Sequence, residues 1–191
     1  KVYIIRNGYG VTVEKKSQTS PSDTKKKTGT GNFITAYIDH GTSPQNASYE
    51  YLMLVRPSSK DEGRFAKKLP YTVIQADNQA HVVRDDITGI TAYISYGGYA
   101  SAETLVAGAE PETIVMERTR DDGKVVMSVC TPDLGITEKG YTTTQQSQKI
   151  LKKVILKGTW SLSSPSENVD LIIEDGNTVI SAICLHGQPV E

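Results

Sequence analysis

The sequence predicts an all-β fold, an antiparallel β-sandwich with one short helix. Three observations carry this. Short runs rich in Val, Ile, Thr and Tyr recur along the chain, many with period-two alternation. Gly, Asp, Asn and Pro clusters separate them at sandwich-like spacing. Only one segment reads as a helix.

The elements follow in order. VYIIR (2–6) and GVTVEKK (10–16) flank an Asn-Gly-Tyr-Gly turn. SQTSPSDTKKKTGTG (17–31) is rich in Ser, Thr, Lys and Gly and lacks apolar periodicity, so it reads as a loop or linker and a boundary. GNFITAYIDHGTSPQNASYEYLMLVRP (31–57) reads as two strands joined by a polar loop, with Asp39-His40-Gly41 at the bend. Both faces of these strands carry apolar residues, which predicts cover on both sides.

SSKDEGRFAKKLP (58–70) is the helix, opening among Ser and Asp and ending at Pro70. Strands resume at YTVIQAD (71–77), AHVVRDD (80–86) and GITAYISYG (89–97). TIVMERTR (113–120) and KVVMSVCTP (124–132) are joined by Asp121-Asp122-Gly123, a hairpin signal. PDLGITEKGYTTTQQSQ (132–148) reads as mostly loop. ILKKVILKGTW (150–160), VDLIIED (169–175) and NTVISAICLHG (177–187) complete the set, the last two split by Gly176 in a second hairpin. The total is about a dozen strands.

Composition narrows the function classes. The 191 residues are 37% hydrophobic and 23% charged, an ordinary globular balance. The 21 Lys and Arg nearly cancel the 22 Asp and Glu, so no global positive field is available for a nucleic acid or other polyanion. A polyanion would need a local patch, and Lys25-Lys26-Lys27 and Lys152-Lys153 are the candidates, read first as solvated loop and strand-edge lysines. No apolar run is long enough to span a membrane. The chain opens on Lys1 with neither an initiator Met nor a leader pattern, as a piece of a longer protein would. Cys130 and Cys184 sit in apolar strand-like runs and read as buried free thiols, without the spacing of a zinc site.

Catalytic patterns are weak. Asp39 and His40 are adjacent on a strand and so point to opposite faces, and no GxSxG elbow is present. Asp39-His40-Gly41 is expected to end a strand and hold the loop through side-chain hydrogen bonds to backbone. His40, His81 and His186 are dispersed, which is no metal signature. The ten tyrosines are the distinctive component. Their flat rings with polar tips suit sugar stacking or a packed interface. Packing in a core or against a neighbouring domain is the expectation for Tyr37, Tyr49, Tyr51 and Trp160.

The order of four segments carries a resemblance. GNFITAYIDHGTSPQNASYEYLMLVRP, AHVVRDDITGITAYI, IVMERTRDDGKVVMSVCTPDLGI and VILKGTW together resemble the C-terminal end of the family 8 polysaccharide lyases, the hyaluronate and chondroitin lyases. TPDL and GTW look most like the chondroitin sulfate ABC type. The resemblance implies that residues 1–24 are the tail of a preceding central β-domain or a linker, and that 25–191 are a C-terminal β-sandwich. It implies partners in the central β-domain and helical domain of a parent lyase, an acidic polysaccharide such as chondroitin or dermatan sulfate, cleavage by β-elimination, and a secreted or periplasmic bacterial setting. The family's catalytic motifs are not in this chain, so no catalytic residue and no cofactor are expected here. A divalent cation is compatible with the full enzyme. The alternative is an autonomous carbohydrate-binding module, with Tyr37, Tyr49, Tyr51, Trp160 and Lys25, Lys26 and Lys27 as its contact residues. Buried aromatics would favour the structural segment, and exposed, coplanar ones the module.

Overall fold

The computed structural model describes residues 1–6, 8–21, 28–132, 148–185 and 187–191. Among them are fourteen strands and one helix, and every strand pair is antiparallel. The all-β expectation holds. The chain divides into two compact units, Lys1–Leu69 and Pro70–Glu191.

The second unit is the sandwich. Its strands are β5 (Tyr71–Ala76), β6 (Ala80–Asp85), β7 (Thr91–Ser95), β8 (Tyr99–Ala100), β9 (Val106–Ala109), β10 (Thr113–Thr119), β11 (Val125–Cys130), β12 (Ile150–Lys157), β13 (Val169–Glu174) and β14 (Asn177–Cys184). One sheet has the order β11-β10-β7-β6-β5 and the other β13-β14-β12-β9-β8. Alternate residues of both enter one core, with Val82, Tyr93 and Val115 from the first sheet and Val106, Val154, Leu156 and Ala182 from the second. Period-two alternation places those side chains on the inner faces, and burial of that apolar surface drives the two sheets together.

Both predicted hairpins form. Arg120 N–H donates to the Lys124 carbonyl at 2.8 Å around Asp122-Gly123, and Gly123 takes a φ of 77°. Asp175 and Gly176 both take positive φ, 48° and 76°, as a two-residue turn matched to strand twist requires. Strands β8 and β9 were not predicted. VAGA, with its Gly and two Ala, lacks the β-branched signal, and its place is set by pairing with β12.

Lys152 corrects an expectation. It is not a solvated or edge lysine, because β12 is a central strand and Lys152 shares the inward face with Val154 and Leu156. Its ammonium reaches the Pro111 carbonyl at 2.9 Å, so the stem is buried while the head is satisfied.

The first unit is built differently. It contains β1 (Val2–Ile5), β2 (Val11–Pro21), β3 (Thr28–Ile38), β4 (Tyr51–Leu54) and α1 (Ser59–Lys67). β1 pairs with β4 and β2 with β3, giving two separate two-stranded sheets. The helix is capped as its sequence predicts: Asp61 N–H donates to Ser58 Oγ, and the Asp61 carboxylate accepts from Ser58 N–H.

Three expectations change in this unit. Residues 17–21 and 28–31, read as loop or linker, are strand; Thr19 and Thr30 oppose each other with their hydroxyls 3.1 Å apart. The segment lacks apolar periodicity because both its faces are largely exposed, so the signal of a buried face is absent. The two strands of 31–57 do not pair with each other. The cover expected on both of their faces is also missing, since Ile34 is 75% exposed and Tyr37, Met53 and Val55 are exposed too. The boundary expected at 24/25 lies outside the described residues. Both ladders of the first unit join residues on either side of it. Lys25, Lys26, Lys27, His186 and most of the 132–148 loop also lie outside the described residues.

Candidate functional site

The chemistry-bearing surface of the first unit is an exposed aromatic row. Tyr49, Tyr51, Met53 and Val55 alternate along one side of β4 and its flanks, and all are exposed. The register β1–β4 sets Tyr3 opposite Met53 and Ile5 opposite Tyr51, so Tyr3 joins the same face. The Tyr49 and Tyr51 rings are 6.2 Å apart and 12° from parallel. Tyr3 lies 5.9 Å from Tyr51, tilted by 56°, and His40 lies 6.5 Å from Tyr49. The opposite face of β1–β4, with Val2, Ile4, Leu52 and Leu54, is half-buried.

The corner that presents His40 is held as expected. Asp39 Oδ1 accepts from Gly41 N–H at 2.8 Å, and Gly41 takes a φ of 76°, where a side chain would be strained. Arg6 and Glu50 extend the β1–β4 register with an ion pair of 2.8 Å.

The described candidate residues lie on different elements. Tyr37 is exposed on β3, in the β2–β3 sheet, while Tyr49 and Tyr51 belong to the face of β4. Trp160 is in the second unit, half-buried against the core. Its indole N–H donates to the Lys157 carbonyl at 2.7 Å, and its backbone N–H donates to Thr178 Oγ1 at 2.8 Å. Thr178, fully buried, donates onward to the Gly158 carbonyl at 2.8 Å, so Gly158-Thr159-Trp160 closes a corner at the end of β12. Tyr3 was missed by the sequence reading. The signal that finds it is its cross-strand register, which a linear alternation pattern does not contain.

In the first unit the Asp61 carboxyl is held below the usual range by the Ser58 hydrogen bonds of the helix cap. In the second unit, burial pushes both cysteine thiols up, and both are free. Among the described residues, no group of three or more His, Cys, Asp or Glu side chains is placed to hold a metal ion. Among the described residues no helix is long and apolar enough to cross a membrane.

Comparison with known proteins gives one consistent picture. No family model matches the chain. It is 27% identical over 194 aligned residues to a chondroitin sulfate ABC endolyase of Proteus vulgaris, covering 99% of this chain and 18% of that protein. It is 28% identical to a chondroitin sulfate ABC exolyase of Bacteroides thetaiotaomicron, covering 88% of this chain and 19% of that one. The fold matches a chondroitin AC lyase of Streptomyces coelicolor A3 with a TM-score of 0.68 at 17% identity, over 98% of this chain and 24% of that one. It matches a Paenibacillus xanthan lyase with a TM-score of 0.67 at 18% identity, over 99% and 19%. The chain spans less than a fifth of the curated relatives it matches. The resemblance read from the sequence is borne out: over most of its length this chain is similar to a segment of the chondroitin sulfate ABC lyases, and it has the fold of the matching segments of polysaccharide lyases.

Proposed function

We propose that this chain is a C-terminal segment of a secreted or periplasmic bacterial lyase that cleaves chondroitin or dermatan sulfate by β-elimination, and that it supports the enzyme without supplying its catalytic groups. One observation carries the reading. Among the described residues of Lys1–Leu69 none is buried, whereas Pro70–Glu191 holds a full core. Isolated two-stranded sheets are marginal in water, and contiguous exposed apolar faces mark contact surfaces. The first unit has the character of part of a β-domain whose remaining strands lie elsewhere in a longer polypeptide. The second unit is an autonomous sandwich attached to it.

The supporting role has a direct chemical test. β-Elimination needs a base at C5 of the uronate, an acid for the leaving oxygen and neutralisation of the carboxylate. Incubation of the chain with chondroitin sulfate tests this. The expected result is no ultraviolet absorbance from 4,5-unsaturated uronate; its appearance would overturn the non-catalytic role.

A second reading has its own observation. Tyr49 and Tyr51 are exposed and nearly parallel, the geometry expected of a sugar-stacking platform. Calorimetric titration with chondroitin sulfate oligosaccharides at low and physiological salt distinguishes the two. Saturable heat that survives salt and is lost in Tyr51→Ala supports a binding module; absence of such heat supports the structural segment.

A further inference from the structure

A cleft of about 330 Å3 opens at one end of the sandwich in the second unit, lined by Ile74, Arg84, Thr91, Tyr93, Glu117 and the 103–105 segment. We propose that it binds a small primary ammonium compound bearing hydroxyls, such as an amino sugar, with the Glu117 carboxylate as the anchor. The idea is independent of the lyase reading, because it concerns another unit and a ligand of opposite charge to a sulfated polysaccharide.

The register builds the site. Arg84 pairs with Thr91 and Thr91 with Glu117, so the three lie in one row across β6, β7 and β10. The next row inward is Val82, Tyr93 and Val115, all core. Glu117 is therefore the point where the apolar core meets the cleft, and it is only 7% exposed. The Tyr93 hydroxyl donates to it at 3.2 Å, and the Thr91 hydroxyl also bonds to it. Neither supplies a positive charge. Burial pushes the carboxyl above its ordinary range, while its hydrogen bonds to Thr91 and Tyr93 pull the other way.

The surroundings select the ligand. Arg84 in the lining is engaged with Asp86 at 3.2 Å, and Glu103 joins Glu117 in the same lining, so carboxylates outnumber cations there. An ammonium supplies the positive charge and three donors that a buried carboxylate takes up. Thr91 and Thr104 line the same space, the Thr104 hydroxyl already donating to the Val106 carbonyl at 2.8 Å and so able to act only as an acceptor toward a ligand hydroxyl, while Ile74 and Leu105 give apolar walls. The volume is at the small end of ligand pockets, enough for one such molecule.

The test is an amide-resonance titration of the chain with glucosamine, with N-acetylglucosamine as the uncharged control. The expected result is saturable shifts at Thr91, Tyr93 and Leu105, at least tenfold weaker with N-acetylglucosamine. Glu117→Gln, which keeps an acceptor for Tyr93, should weaken binding at least tenfold. Glu103→Gln, at an exposed position, should weaken it several-fold and serves if the first variant fails to fold. Absence of saturable shifts at these residues, equal binding of the two sugars, or binding unchanged in the variants that fold would overturn the proposal.

Discussion

Tyr49 and Tyr51 stand side by side on the same face, 12° from parallel, with neither ring buried. On the proposed function, this pair is a contact surface for the remainder of the parent protein. Their substitution in this chain should be nearly silent for stability. Tyr49→Ala and Tyr51→Ala are each expected to change the unfolding free energy by about 0.5 kcal/mol or less, the range of ordinary surface positions. Urea denaturation followed on both units checks this. A loss of several kcal/mol would show that the rings already pack.

Core and surface substitutions should separate the two units. Leu156 is buried between sheets, and Leu156→Ala is expected to cost about 2–5 kcal/mol. Ile34, exposed on β3, should cost about 0.5 kcal/mol or less on truncation to Ala. Equal losses at the two positions would contradict the absence of a core in the first unit.

The buried Glu117 gives stability a definite pH dependence. Its folded pKa lies above the ordinary value of 4.5, chiefly through burial, while its hydrogen bonds to Thr91 and Tyr93 pull the other way. The folded state thus binds the proton more tightly than the unfolded chain. Its contribution is fully present below 4.5 and is lost as pH rises through the folded value. Glu117→Gln should remove that loss, so the variant gains on the parent as pH rises from 4.5. Asp61, Asp77 and Asp85 are shifted down and contribute with the opposite sign, but they are common to both proteins and cancel in the comparison. Denaturation at a series of pH values reads the difference; a difference that does not vary with pH would contradict it.

Both cysteines are expected to titrate as free thiols. Cys184 is fully buried and Cys130 half-buried, and burial raises both pKa values. In native protein, reaction with a thiol reagent should be slow, and slowest at Cys184. In denaturant, two thiols per chain should appear at once. Fewer than two without added reductant would contradict free thiols.

Much of the fold could be read from the sequence because its signals are local. The Ser58 cap, the Asp-Gly hairpins and the alternation of β6, β7, β10 and β12 each announce themselves within a few residues. What escaped is non-local. The pairing of β1 with β4 spans almost fifty residues and has no linear signature. Residues 17–21 and 28–31 hid their strands because neither face is buried there. Lys152 looked like a surface residue until β12 proved to be central. The tyrosines were visible as a type, but their exposure depends on what covers β4, and Tyr3 entered the row only through register. Glu117 was indistinguishable from other strand carboxylates, since its burial is a property of the whole sandwich.

Hydrogen exchange of the chain, followed peptide by peptide, tests the central claim most directly. The account predicts strong protection in β6, β7, β10, β12 and β14, where the core lies, and exchange close to that of an unfolded chain in β1 to β4. Protection of β1 to β4 equal to that of β12 would contradict it, because the first unit would then hold itself together on its own.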